Sequence, residues 1–88
     1  MPRYTVYWQP GCTSCLKTKE FLRARGIEFE SINVHEDPGA MAALAKLGAR
    51  SVPVVARGTE FAYGQDVDTV ARFVGIDLER VRLAVPVL

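Results

Sequence analysis

Cys12 and Cys15 are the only cysteines of the chain and stand three apart in Pro10-Gly11-Cys12-Thr13-Ser14-Cys15. Two thiols at that separation can close on each other, exchange with an outside disulfide, or supply half of a tetrahedral metal site. As a permanent staple they would close a very small loop and restrain the unfolded chain little. The pair is therefore read first as a redox-active dithiol. Cys12, at the start of the helix expected from Thr13 to Arg25, is the expected nucleophile, because the partial positive charge at a helix N-terminus favours a thiolate. Cys15 lies one turn in, more buried, and would resolve the mixed disulfide formed on Cys12. The rival chemistry, a metal or cluster site, finds few partners within the chain. His35 is the single histidine and lies just after the second expected strand, where it reads as a plain loop residue.

The elements that must hold this pair alternate. Tyr4-Thr5-Val6-Tyr7-Trp8 is a β-branched and aromatic run that reads as a buried strand, with Tyr7 and Trp8 facing the core and its rim. Gly26 stands where a helix C-cap glycine belongs. Residues 27–34 alternate apolar and polar side chains, a strand with one covered face. Asp37-Pro38 predicts an N-cap followed by a first-turn proline for a helix running through Met41, Leu44, Ala45 and Leu47 to Gly48. Residues 52–56 and 60–63 read as a hairpin around Arg57-Gly58-Thr59. A third helix follows Gly64-Gln65-Asp66, with Val67, Val70, Ala71 and Val74 on one face and Gly75 closing it. The order β-α-β-α-β-β-α predicts an α/β fold: a four-stranded mixed sheet with one parallel pair and helices on both faces.

The bulk numbers narrow the function classes. Eighty-eight residues suit one domain, expected as a core over 3–75 with a short C-terminal extension over 76–88. The apolar stretch Ala84-Val85-Pro86-Val87-Leu88 is expected to pack back onto the domain. A formal net charge of +1 with scattered basic residues gives no electrostatic reason to expect nucleic acid or an anionic membrane. No apolar stretch is long enough to span a bilayer, and Met1-Pro2-Arg3-Tyr4 runs straight into a strand without an apolar signal region. A cytoplasmic monomer is the expectation, and in that compartment a close cysteine pair is catalytic or metal-binding more often than structural.

Three separated motifs resemble the glutaredoxins, and more broadly the small thioredoxin-fold redoxins. Tyr7-Trp8-Gln9-Pro10-Gly11-Cys12-Thr13-Ser14-Cys15, with Lys19 after it, looks like the family's aromatic-Ser-Lys-Pro-Gly-Cys-Pro-Tyr-Cys segment. Arg50-Ser51-Val52-Pro53 is similar to its Arg-Thr-Val-Pro, and Gly64-Gln65-Asp66 to the glycine-x-aspartate that opens the last helix. The resemblance covers roughly residues 3–75 and implies the thioredoxin fold in its glutaredoxin-like βαβαββα form. It further implies a thiol–disulfide oxidoreductase that reduces protein or glutathione mixed disulfides, with no tightly bound cofactor or metal and with glutathione as co-substrate. Two departures bear on that. Gln9 replaces the lysine that reaches the tripeptide's glycyl carboxylate, and Thr13-Ser14 replaces Pro-Tyr. The stretch from Asp37 to Gly48, followed by a Val-Pro strand, resembles the redoxins that serve ribonucleotide reductase, which draw electrons from the flavoprotein thioredoxin reductase. A glutathione-assisted dimer bridging an iron–sulfur cluster through Cys12 is the third implication.

The site residues carry paired expectations. Gly11 lets a substrate backbone approach closely, and Thr13 flanks the nucleophile. Pro53 either begins an edge strand or, as the resemblance implies, follows a cis bond that exposes the Val52 backbone to an extended substrate. Ser51 would line that contact or be a surface hydroxyl. Asp66 is an N-cap first, and the resemblance adds binding of a γ-glutamyl group through Gly64, Gln65 and Asp66. Arg50 and Lys19 would each meet a substrate carboxylate or remain solvated charges; Gln9 is a ligand contact or a loop residue. Met41 and Leu44 are expected in helix packing.

Overall fold

The computed structural model describes residues 3–75; the extension over 76–88, and the expectation that its apolar end packs back, lie outside the described residues. Seven elements follow in order: β1 Tyr4–Trp8, α1 Thr13–Ala24, β2 Phe29–Asn33, α2 Ala40–Leu47, β3 Val54–Arg57, β4 Glu60–Tyr63 and α3 Val67–Val74. The strands lie in the order β2-β1-β3-β4. β1 runs parallel to β2 and antiparallel to β3, and β3 runs antiparallel to β4. This is the expected four-stranded mixed sheet with its three helices.

Strand alternation divides the interior. Tyr4 and Val6 of β1 and Val55 of β3 point to one face, where they meet Phe21 and Leu22 of α1 and Val70 and Ala71 of α3. Tyr7 of β1 and Val54 and Ala56 of β3 point to the other, against Ala40 and Leu44 of α2, with Val34 and Ala49 completing the cluster. The period of two along a pleated strand produces this division.

Local chemistry closes the helices. Gly26 adopts a φ of +70°, the left-handed conformation that glycine takes without a Cβ clash, and its N–H donates to the Arg23 carbonyl at 3.0 Å. Asp66 caps α3, its carboxylate accepting from the Thr69 N–H at 2.7 Å. α2 departs from expectation. Asp37 does not cap it: the Asp37 carboxylate accepts from the Gly39 N–H at 2.9 Å, and the helix opens at Ala40 behind a Gly39 that offers no side-chain cap. An aspartate reaches a backbone N–H two residues on as readily as it caps, and here it builds a turn. Met41, expected in packing, is 63 % exposed, and Ala45 faces out as well. Leu44 is buried as expected. The second strand is shorter than the alternation predicts, and β3 begins after Pro53 instead of at Val52.

Candidate active site

β1, the second strand in the sheet order, delivers the chain to Gln9 and Pro10 at its end. Gly11 then turns the backbone with a φ of +76°, a conformation that disfavours any residue carrying a Cβ. The turn makes Cys12 the N-cap of α1, with φ −101° and ψ 106°. A cap residue ordinarily offers a side-chain oxygen to the free amides of the first turn. Here the acceptor is sulfur: the Cys15 N–H points at Cys12 Sγ, 3.1 Å away. No acidic residue occupies the first turn of α1, so nothing there offsets the positive end of the helix beside that sulfur.

Cys12 and Cys15 are joined as a disulfide, their Cα atoms 5.2 Å apart. Their environments differ. Cys12 is half-buried and reachable, whereas Cys15 is 1 % exposed. An accessible outer sulfur over a buried inner one is the geometry that sequential thiol–disulfide exchange requires.

A cleft of about 310 Å³ opens over the pair. Gln9, Pro10, Gly11 and Thr13 form one part of its lining, and Trp8, Leu16 and Lys19 form the rest. Trp8 is held by its indole N–H, which donates to Ser31 Oγ at 2.7 Å. Lys19 Nζ lies 3.6 Å over the centre of the Trp8 ring, a cation–π contact. Partial burial, and then the neighbouring Arg23, hold the Lys19 ammonium pKa below that of a free lysine. Leu16 is 52 % exposed, an apolar side chain presented at the mouth.

The remaining sequence-predicted residues fall into two groups. Gly64, Gln65 and Asp66 line a separate hollow of about 240 Å³, together with Lys17, Thr18 and Val67. Asp66 titrates below the usual carboxylate range because it accepts from the Thr69 N–H and, to a lesser degree, because Arg72 is near. The Val52–Pro53 bond is cis, and the Pro53 carbonyl accepts from the Gly64 N–H at 2.9 Å. Arg50 and Ser51 are exposed on the approach to Pro53, with the Arg50 N–H donating to the Tyr63 hydroxyl at 3.1 Å. Neither they nor Val52 lines the cleft over the sulfurs. His35 is an exposed loop residue. Among the described residues no group of three or more His, Cys, Asp or Glu side chains could hold a metal ion. No helix of the described residues is long and apolar enough to cross a membrane.

Three contributors escape sequence reasoning. Trp8 reads as a strand residue at the rim of the core, yet it walls the cleft. Leu16 sits one position after the buried sulfur and faces out. Thr18 is buried with its hydroxyl donated to the Gly64 carbonyl at 2.9 Å. Thr18 alone carried a signal, a polar residue three after Cys15 and so on the same helical face.

Residues 4–62 match the glutaredoxin family model. The glutaredoxin-like protein NrdH of Escherichia coli strain K12 is 43 % identical over 56 residues, which is 64 % of this chain and 69 % of that protein. The protein of the same description from Lactococcus lactis is 32 % identical over 59 residues, covering 67 % of this chain and 81 % of that one. Among solved structures, the E. coli NrdH-redoxin superposes with a TM-score of 0.69 at 38 % identity over 80 % of this chain and 92 % of that one. A point variant of the thioredoxin-like protein BC3987 gives 0.78 at 28 % identity, over 88 % of this chain and all 100 % of that one. With a vicinal sulfur pair capping a helix at the end of β1 and the family's model spanning most of the sheet, the chain belongs to the glutaredoxin family of thiol–disulfide oxidoreductases.

Proposed function

We propose that the chain is a dithiol redoxin that reduces protein disulfides with electrons from a flavoprotein of the thioredoxin reductase class, glutathione being a poor co-substrate. The observation that carries this is Gln9. It stands at the lip of the sulfur cleft, where the family resemblance places the lysine that glutathione-using members usually carry. A neutral amide offers a hydrogen bond to a glycyl carboxylate without the charge that would draw it in. The relatives support the same reading, since the E. coli NrdH-redoxin is described as having a thioredoxin-like activity profile. The resemblance to redoxins that serve ribonucleotide reductase makes an oxidised reductase of that kind the substrate of choice, in a reducing, cytosolic setting.

Cys12 thiolate attacks one sulfur of the substrate disulfide; the other substrate sulfur leaves and takes a proton from water. Cys15 gives up its proton and attacks Cys12 Sγ, which frees the second substrate thiol and closes the Cys12–Cys15 disulfide. The flavoprotein's dithiol then returns two electrons and two protons. In this reading the substrate segment lies extended beside Val52, whose backbone groups the Pro53 turn leaves free for strand-like pairing. Gly11 and Thr13 border the point of attack, and Arg50 and Ser51 flank the entering segment. The Gly64-Gln65-Asp66 segment favours a second reading, glutathione use, because it matches the family's γ-glutamyl contact.

A turnover assay with NADPH separates the two. Thioredoxin reductase should support disulfide reduction, and glutathione with glutathione reductase should give about a tenth of that rate or less. The reverse ranking overturns the proposal. Cys12→Ser should abolish turnover with either couple, and Gln9→Lys should raise the glutathione-dependent rate.

A further inference from the structure

Thr18 lines no part of the cleft over the sulfurs, yet it is 3 % exposed, and it is the one polar side chain so buried among the described residues. A buried threonine within a helix commonly turns its hydroxyl back to a carbonyl of its own helix. This one donates across a sequence separation of 46 to the Gly64 carbonyl, at 2.9 Å. The Gly64 N–H donates in turn to the Pro53 carbonyl at 2.9 Å, one residue after Val52. The joint has no slack. A methyl group on Gly64 would stand 2.5 Å from Thr18 Oγ1 and 3.2 Å from Pro53 Cγ. Cys15 and Thr18 lie one turn apart on the buried face of α1. One hydroxyl and the backbone of one glycine therefore tie the helix that carries both sulfurs to the segment that carries Val52.

We propose that Thr18 is a positioning residue for exchange with protein disulfides, fixing the spacing between the Cys12–Cys15 pair and the Val52 backbone. The inference rests on the reading of Val52 as the edge along which an extended substrate lies. A protein segment must meet the sulfur and that edge together, so a small displacement between them weakens its transition state. A small aromatic disulfide reaches Cys12 without the edge and is indifferent to their spacing. Thr18 thus governs which disulfides react, without entering the chemistry.

The test compares Thr18→Val and Thr18→Ser with the wild type, using insulin as the protein disulfide, dithiothreitol as reductant, and 5,5′-dithiobis(2-nitrobenzoate) as the small disulfide for pre-reduced protein. Dithiothreitol removes the choice of flavoprotein or glutathione from the outcome. Thr18→Val, which keeps the volume and loses the hydroxyl, should lower kcat/KM for insulin about tenfold while its rate with the aromatic disulfide stays within about twofold. Thr18→Ser should restore the insulin rate to within about twofold of the wild type. An insulin rate unchanged in Thr18→Val overturns the proposal, and so does an equal fall with both disulfides, since a purely structural threonine would act on both alike. Should Thr18→Val not fold, Thr18→Ser and Thr18→Ala differ by the hydroxyl alone, and absence of the tenfold gap between them overturns the proposal. A wild type that leaves insulin unreduced overturns the protein-disulfide reading itself, and this inference with it.

Discussion

The two faces of the sheet are built differently. One is filled by Phe21 and Leu22 of α1 and Val70 and Ala71 of α3, against Tyr4, Val6 and Val55. Both of its helices are capped by side chains, α1 by the Cys12 sulfur and α3 by the Asp66 carboxylate. The other face is covered by α2, eight residues long, with no side-chain cap, and three of its cluster's buried members are alanines. Apolar burial scales with area, so large side chains under capped helices hold more firmly than alanines under an uncapped one. The sulfur pair is mounted on the firm face. An exchange site needs its nucleophile and its substrate edge in fixed relation, whereas a covering helix needs only to keep water off the sheet.

Core truncation should expose that difference most visibly. Leu22 is 0 % exposed, and Leu22→Ala should cost about 4–5 kcal/mol and take turnover down with it. Leu44→Ala, beneath α2, should cost about 2–3 kcal/mol and leave the folded molecules competent in exchange. Denaturant unfolding alongside insulin reduction measures both, and equal losses would erase the distinction between the faces. Amide exchange gives a finer contrast. The α2 amides should exchange about tenfold faster than those of α1 and α3 under native conditions, because a short, uncapped helix opens locally. Comparable protection in all three helices would count against it.

The smallest effect is the pH dependence of a cap. Asp66 titrates below its ordinary range in the folded chain, because its carboxylate accepts from the Thr69 N–H. A depressed carboxylate contributes stability above its unfolded pKa, and loses it as the pH falls through the folded one. In the Asp66→Asn variant the side-chain amide oxygen caps without titrating. The Tm difference between wild type and that variant should therefore stay flat from neutrality down to about pH 5 and decline below it. A difference that does not move with pH would mean the cap owes nothing to the charge.

What the sequence makes legible here is local. The Asp66 cap, the Gly26 stop and the hairpin turn at Gly58-Thr59, which is one residue shorter than expected because Arg57 belongs to β3, depend on residues within a few positions, and the period of two along a strand separates Val6 from Tyr7 across the sheet. Even local signals compete, as Asp37 shows: one carboxylate could serve a helix or a turn, and the turn won. Met41 fits a helical stripe, but eight residues over a small surface bury only one edge of it. The site is legible at its sulfurs and in part of its lining, since Gln9, Gly11, Thr13 and Lys19 are named from the sequence and border the cleft, and illegible at Trp8 and Thr18. Trp8 owes its place to Ser31, at a separation of 23, and Thr18 owes its own to Gly64, at a separation of 46. No window along the chain contains such pairs; only the folded sheet does.

Trp8 has one more consequence. It is the chain's single tryptophan and one wall of the space that holds both sulfurs. An excited indole passes an electron readily to a neighbouring disulfide and far less readily to two thiols. The protein therefore carries its own optical gauge: its ultraviolet emission should brighten when the bridge opens and dim when it closes, so each half of the cycle can be timed on unlabelled material.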